Sequence, residues 1–321
     1  MRLSCGFPPS PRAPEYAALA EELDYERAWF YDSPALYGDV WVAIARTLDR
    51  TERIGVGTAV LIPSLRSVVT TAAAIGTIEA QAPGRLVVAL GTGFTGRCVL
   101  GQKALGWKSV ERYLVALRAL LAGEETEVDG RMCQLIHPEG FIAPRPIATP
   151  LVLAANGPKG LAVAASVADG VMCAGVVPEG ARDARYLAFG TVLDEGETFA
   201  TPRVLDAIGG AIAVVYHGTY EAVGAGVDAL PGGAEWRAEI EQLPAASRHL
   251  HVHAGHCVEA NAIDRRHMSP DLGGTTFSGR PEALRARVDA LADQGISELV
   301  FAPMGSDIPR ELRAMRDALS D

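Results

Sequence analysis

Short apolar runs alternate with stretches of helical periodicity along most of this chain. Residues 86–90 form a valine-rich apolar run between Pro83-Gly84 and Gly91, which is typical of a strand buried on both faces. In residues 14–24, apolar side chains instead recur every three or four positions, as on one face of a helix. The same criteria predict strands at residues 3–7, 28–31, 53–60, 86–90, 150–155, 170–176, 207–216 and 298–302. They predict helices at residues 14–24, 39–48, 67–81, 110–122, 161–168, 181–195, 280–294 and 309–319.

Strand and helix thus alternate eight times, which predicts an α/β fold with a parallel sheet, because parallel neighbours need crossover helices. Eight units favour a closed (β/α)8 TIM barrel over an open sheet. Residues 127–135, with Asp129-Gly130 in the middle, predict a hairpin excursion after strand four. Residues of about 218–275 are irregular and predict an insertion after strand seven. We find no linker, so we expect a single domain over residues 1–321.

Composition and charge narrow the class of protein. The 321 residues are 49% hydrophobic, which is enough for a large core. The net charge of −10 disfavours nucleic acid or an anionic membrane as partner, because neutralising phosphate needs a basic face. No apolar run reaches the roughly 18 residues of a membrane span, and we see no signal-peptide core. The five scattered cysteines lack C-x-x-C spacing, which indicates reduced thiols in the cytoplasm.

Residues 91–96 read Gly-Thr-Gly-Phe-Thr-Gly and match G-x-G-x-x-G. The match fails as a dinucleotide fingerprint: it follows the fourth strand, the next clear helix is predicted only near Val110, and a hairpin follows that helix. In a barrel, by contrast, the carboxyl ends of all strands meet at one face, where active sites lie. The residues at these predicted strand ends are mostly small, which leaves a slot that a planar ring can enter.

Residues 156–160, Asn-Gly-Pro-Lys-Gly, join the fifth strand to a helix. A glycine-rich turn that opens a helix presents free N–H groups and the positive end of the helix dipole, which suits a phosphate. Lys159 can add a positive charge. The alternative is an ordinary connection with a surface lysine.

Several segments together resemble the bacterial luciferase-like family of flavin- and coenzyme F420-dependent oxidoreductases. They keep the family's order over nearly the whole chain and lie at residues 28–32, 53–60, 83–93, 150–159 with 168–170, and 279–282. The resemblance implies a barrel with an insertion, a flavin or deazaflavin ring at the strand ends, a cis peptide between Ala59 and Val60, and a homodimer. It implies cofactor contacts at Asp32, Ala59, Val60, Thr92, Gly93, Asn156, Gly157, Pro158, Lys159 and Gly160. For Asp32, capping of the turn before Ser33-Pro34 is an equal alternative.

The chain departs from the sugar-oxidising branch of this family at two positions. That branch has a histidine after the aspartate and a glutamate after Gly-Thr-Gly, where this chain has Ser33 and Phe94. Neither side chain is an efficient acid or base near neutral pH, so we expect both to line a substrate pocket. The catalytic residue is left open, with Asp32, Tyr37 and His253 as candidates.

Two further groups of residues have a structural and a functional interpretation. His251, His253 and His256 lie close together in sequence, but without a carboxylate that we could place beside them we expect no metal. Trp29, Trp41 and Trp107 are expected in the core rather than against a cofactor.

Three functions remain. The first is hydride transfer between coenzyme F420 and a small organic substrate, favoured by the Gly-Thr-Gly and Asn-Gly-Pro-Lys pattern. The second is an FMN-dependent monooxygenase that uses reduced flavin and oxygen. The third is a non-catalytic flavin-binding barrel.

Overall fold

A computed structural model describes residues 1–181 and 183–320. Arg182 and Asp321, which belong to the predicted helix 181–195 and the predicted domain 1–321, lie outside the described residues. Within these residues there are ten strands: β1 (Arg2–Phe7), β2 (Arg27–Phe30), β3 (Gly55–Leu61), β4 (Leu86–Leu90), β5 (Thr126–Val128), β6 (Arg131–Cys133), β7 (Leu151–Ala154), β8 (Gly170–Ala174), β9 (Ala184–Phe189) and β10 (Ile296–Ala302). Eight of them are parallel and close a barrel in the order β1-β10-β9-β8-β7-β4-β3-β2, which confirms the predicted (β/α)8 fold.

Helices cover the outside of the barrel and form most of the insertion. Asp39 begins α2 by accepting hydrogen bonds from the N–H groups of Trp41 and Val42, and Asn261 and Asp264 form a capping box on α10. The helices are α1 (Ala13–Glu22), α2 (Val40–Leu48), α3 (Val68–Gln81), α4 (Phe94–Cys98), α5 (Trp107–Ala122), α6 (Pro158–Val167), α7 (Pro202–Val223), α8 (Gly233–Glu241), α9 (Arg248–Val252), α10 (Ala262–His267), α11 (Pro281–Asp293) and α12 (Ile308–Leu319).

The inside of the barrel holds a compact apolar cluster. Its buried members are Trp29, Val87, Ala89, Val152, Met172 and Val300. A larger apolar layer lies between the strands and the helices, because the strands are buried on both faces. Trp29 therefore belongs to the core, as predicted.

The predicted hairpin is confirmed. Strands β5 and β6 pair antiparallel, with Thr126 opposite Cys133. Asp129 and Gly130 both have positive φ, at 50° and 77°, as a tight Asp-Gly hairpin turn requires.

The predicted seventh strand, residues 207–216, is wrong: this segment lies inside the 22-residue helix α7. The seventh barrel strand is β9, which pairs with β8 and β10 and falls where a helix was predicted over residues 181–195. Residues 207–213 and 216 are buried in α7, and they form a nearly continuous apolar run. Because such a run has no clear periodicity, the sequence pattern cannot distinguish a buried helix from a buried strand here.

The insertion after strand seven is longer than the predicted residues 218–275. It begins after Phe189, the last residue of β9. It ends near Gly279, which forms a parallel β-bridge with Val192. The insertion has its own apolar cluster, which includes Ile208, Tyr216, Trp236 and Ile240. No helix in residues 1–181 and 183–320 combines the length and the apolar character that crossing a membrane requires.

Candidate functional site

A cavity of about 440 Å³ opens at the carboxyl ends of the barrel strands. Its wall is mostly apolar, with Tyr, Asp, Ser and Thr side chains set into it. Every strand from β2 to β4 and from β7 to β9 contributes to the wall directly or through the residues that follow it, while α7 and the segment after α9 close it from the insertion. The residues from the strands and their loops that bear on the argument are Tyr31, Asp32, Ser33, Tyr37, Ala59, Val60, Thr92, Gly93, Phe94, Asn156, Leu187 and Phe189.

The peptide bond between Ala59 and Val60 is cis, as the resemblance implied. Val60 lies against the end of β4, because a Cβ on Gly91 would be 2.8 Å from Cγ2 of Val60. Gly93 has a φ of 80° and precedes α4, which begins at Phe94. The expectation that the next helix starts only near Val110 is therefore wrong, since α4 follows Gly93 directly and α5 begins at Trp107.

Asp32 is buried at the cavity and paired with Arg66. Nη2 of Arg66 donates to Oδ1 of Asp32 at 3.0 Å and to Oδ2 of Asp39 at 2.9 Å. Burial raises the pKa of Asp32, and the charge of Arg66 offsets only part of that effect. The carboxylate of Asp32 is thus held in place by an arginine that is 34 positions away in the sequence.

The segment 156–160 lies at the mouth of the cavity. The side chain of Asn156 lines the cavity and bridges to the end of β8, donating to the carbonyl of Ala174 at 2.7 Å. Gly157, Pro158 and Lys159 are exposed, and α6 begins at Pro158. The first-turn N–H groups of a helix have no acceptor within it, so those of Lys159 and Gly160 are available as hydrogen-bond donors.

The structure brings together most, but not all, of the predicted site residues. Asp32, Ala59, Val60, Thr92, Gly93, Asn156, Ser33, Phe94 and Tyr37 line the cavity. In the described part of the chain, Gly157, Pro158, Lys159, Gly160 and His253 are outside its wall. Gly160 is buried against Trp107, and His253 is buried behind His256.

Several titratable groups face the cavity from its insertion side. The hydroxyl of Tyr37 donates to the carbonyl of His256, and burial raises the pKa of Tyr37. Burial lowers the pKa of His256 well below its usual value and raises the pKa of the Cys257 thiol to about 12. Both groups are therefore uncharged near neutral pH.

Sequence reasoning missed much of the wall. Trp107 was expected in the core but lines the cavity, and Leu187 and Phe189 belong to the strand that was predicted as a helix. Val214 and Cys257 come from the insertion, far from the motifs in the sequence. The only sequence signal for this side was the histidine-rich stretch that contains His256.

A closed (β/α)8 barrel with an apolar cavity at its strand ends defines the class of the protein. Residues 8–298 match the family described as "Luciferase-like monooxygenase", and the chain belongs to this family. The expected resemblance is thereby confirmed.

The chain is similar to two relatives in sequence and to a solved structure in fold. It is 29% identical over 163 residues to 5,10-methylenetetrahydromethanopterin reductase of Methanolobus tindarius, covering 49% of this chain and 48% of the relative. It is 31% identical over 182 residues to F420-dependent glucose-6-phosphate dehydrogenase of Beutenbergia cavernae, covering 49% and 51%. Each match thus spans about half of the relative. The fold is similar to that of an F420-dependent secondary alcohol dehydrogenase in complex with an F420-acetone adduct, with a TM-score of 0.69, 14% identity and all of both chains covered.

Proposed function

We propose that this protein is an oxidoreductase that transfers a hydride between coenzyme F420 and a small organic substrate. The observation that carries the proposal is the apolar cavity with Asn156 and the N-terminus of α6 at its mouth. The similarity to an F420-dependent glucose-6-phosphate dehydrogenase, over about half of that protein's length, supports the choice of coenzyme.

The residues present fit such a coenzyme. A cavity of about 440 Å³ lies within the range of about 300–1,000 Å³ that is usual for small-molecule sites. Its small strand-end residues, such as Ala59 and Gly93, leave room for a planar ring. At the mouth, a Cβ on Gly157 would meet nothing within 4 Å, so the backbone there is open to an anionic group.

The coenzyme, when bound, supplies the hydride chemistry, and the protein supplies position and environment. Ala59, Val60 and Gly93 would support the ring, while the N–H groups of Lys159 and Gly160 with the Lys159 ammonium would hold the anionic tail. Ser33 and Phe94 would line the space for the substrate, and they would exclude water from it. Tyr37, Thr95 and His256 would be neutral hydrogen-bonding groups at this wall, where they could orient the substrate.

Binding of the two candidate cofactors tests the proposal directly. We expect purified protein to show a thermal shift and an absorbance change with coenzyme F420 but not with FMN. Gly157→Asp should abolish this binding, because it places a negative charge at the anion site, whereas Gly157→Ala should bind like the wild type. Equal affinity of Gly157→Asp and Gly157→Ala would contradict the assignment of the anion site, and binding of neither cofactor would contradict the function.

The alternative is an FMN-dependent monooxygenase. The description of the matching family as a monooxygenase favours it. FMN binding without F420 binding in the same experiment would support this alternative over the first.

The proposal includes the homodimer that the resemblance implies. Three exposed apolar side chains, Met132, Ile136 and Phe141, lie on or just after the β5–β6 hairpin, and Ile136 is 82% exposed. Exposed apolar groups of this kind favour an interface. Light scattering should give twice the chain mass for the wild type and a lower mass for Ile136→Glu; a monomeric wild type would contradict the dimer.

We also propose that the protein acts in the cytoplasm. All five cysteines are free thiols, which suits a reducing compartment. Cell fractionation should find the protein with cytoplasmic markers, and recovery in the membrane or outside the cell would contradict this.

A further inference from the structure

Three buried histidines of the insertion bring ring nitrogens close together around Nδ1 of His256. His217 lies on α7, whereas His253 and His256 belong to the turn that follows α9. Nδ1 of His256 is 2.9 Å from Nδ1 of His217 and 3.4 Å from Nδ1 of His253. One ring nitrogen from each residue lies within 4.8 Å of the other two, and all three side chains are buried.

We propose that His217, His253 and His256 bind a divalent transition-metal ion, with zinc as the first choice, through their Nδ1 atoms. Of the three histidines, His256 also lines the coenzyme cavity, whereas His217 and His253 are outside its wall, and the inference does not depend on the proposed hydride transfer. The distances suit such an ion: zinc–nitrogen bonds of about 2.0–2.1 Å in a tetrahedral site place the ligand nitrogens about 3.3 Å apart.

The outward nitrogens of His217 and His256 have hydrogen-bonding partners, whereas that of His253 is buried near a carboxylate without a hydrogen bond to it. Nε2 of His217 is 3.1 Å from Oδ1 of Asp264, which also accepts from the indole of buried Trp236 at 2.8 Å. Nε2 of His253 is 3.4 Å from Oε1 of Glu221. Histidine ligands usually donate their second N–H to a carboxylate or another acceptor, which fixes the tautomer and turns the lone pair to the metal.

The third ring completes this arrangement. Nε2 of His256 is 3.1 Å from the hydroxyl of Thr95, which can accept a hydrogen bond from it. When Nε2–H of His217 donates to Asp264, Nδ1 of His217 turns a lone pair to the centre, and Nδ1–H of His256 can donate to it. A cation at this centre would accept a lone pair from each of the three buried rings. On binding, the hydrogen of His256 moves from Nδ1 to Nε2, so the ring stays neutral.

The site lies in the insertion and also touches the cavity wall. His256 lines the cavity, so an ion here would fix the position of the turn 253–257 relative to α7. The carboxylates that sequence reasoning could not place beside the histidines are Asp264 and Glu221. The histidine at position 251, which the sequence grouped with His253 and His256, is exposed on α9, and His217 takes its place.

Metal analysis of the full chain tests the proposal. The protein is treated with a chelator, incubated with zinc chloride, passed over a desalting column and analysed by mass spectrometry for bound zinc. We expect one zinc per chain, and cobalt chloride should give the visible absorption of a tetrahedral ion. A wild-type chain that retains no zinc would overturn the inference.

Variants distinguish this site from surface binding. His217→Ala and His253→Gln should weaken zinc binding by at least about 100-fold, since each loses one of three ligands. His251→Ala is the matched control, because it removes an exposed histidine two positions from His253, and it should bind like the wild type. Equal weakening in the control, or unchanged affinity in both ligand variants, would overturn the assignment.

A variant of the outer partner covers the case in which a ligand variant does not fold. Asp264→Asn keeps an acceptor for Trp236 but removes the charge behind His217, and we expect affinity to fall by about 10- to 100-fold. Circular dichroism verifies the fold of each variant. If Asp264→Asn folds and binds zinc like the wild type, the role given to this carboxylate is refuted.

Discussion

The indole of Trp107 occupies the space that a side chain at Gly160 would need: a Cβ there would lie 2.5 Å from Cζ2 of Trp107. Gly160→Ala should therefore push Trp107 out of the cavity wall and lower the free energy of unfolding by about 1–3 kcal/mol, as overpacking does. Urea unfolding measures the stability, and titration with coenzyme F420 measures the effect on the cavity. Gly157→Ala is the control, because nothing lies within 4 Å of its Cβ position. If both variants unfold alike, Gly160 is not required for packing.

The same pair of residues shows what the sequence could and could not predict. The motif at residues 156–160 marked a loop at the strand ends, because glycine before a helix has a local signature. The reason for Gly160 is not local, since its partner lies 53 positions away at the start of α5. The strand ends from β2 to β4 and at β7 were predictable from their short apolar runs and from the turn residues that follow, such as Ser33-Pro34 after β2, Gly91 after β4 and Gly157 after β7.

The wrong predictions of a helix at β9 and of a strand within α7 have a physical reason as well. In β9 the side chain of Arg185 is buried and paired with Glu298, so a charged residue interrupts a strand that is otherwise apolar. In α7 the buried residues 207–213 conceal the helical period. From the hydrophobic pattern alone, β9 is interpreted as part of an amphipathic helix and this part of α7 as a strand. As a result, the cavity residues of β9 and of the insertion could not be predicted from the sequence.

Removal of Arg66 should destabilise the protein through Asp32. The side chain of Asp32 is 1% exposed, and without Arg66 its charge has no compensation, so its pKa rises further. We expect Arg66→Met to lower the free energy of unfolding by about 3–5 kcal/mol. In the double variant Asp32→Asn/Arg66→Met, much of this loss should be recovered, which urea unfolding would reveal.

The second partner of Arg66 provides the control for this cycle. Asp39 is 41% exposed, and Asn in its place can still cap α2. Asp39→Asn should therefore cost less than about 1 kcal/mol. Additive losses for Asp32→Asn and Arg66→Met would argue against a coupled pair.

Glu298 connects strands across the base of the barrel. Its Oε1 accepts from Ser4 at 2.7 Å and from the indole of Trp29 at 2.9 Å, and its Oε2 lies 3.3 Å from Nε of Arg185. Glu298→Ala should cost about 3–5 kcal/mol, because it leaves Arg185 buried without a counter-charge. Ser4→Ala removes one donor only and should cost about 1 kcal/mol. Thermal unfolding compares the two, and equal losses would show that the charge of Glu298 is not what matters.

The stability of the insertion should depend on pH through Glu197. Its hydrogen bonds from Arg203 lower its pKa to about 2, from an ordinary value of 4.5. A carboxyl whose pKa is lower in the folded state contributes stability that is complete above the unfolded value and lost as the pH falls from 4.5 towards about 2. Glu197→Gln should therefore be less stable than the wild type at neutral pH, by about 1 kcal/mol once solvent screening is allowed for.

This difference should shrink steadily in urea unfolding as the pH falls from 4.5 to about 2, because the unfolded wild type takes up a proton at Glu197 before the folded protein does. The exposed neighbour Glu195 supplies the matched control: Glu195→Gln should follow the wild type across the same range. A gap between Glu197→Gln and the wild type that stays constant down to the lowest pH would mean that Arg203 stabilises the fold without ionised Glu197, through its contacts with Glu311 and the carbonyl of Val192.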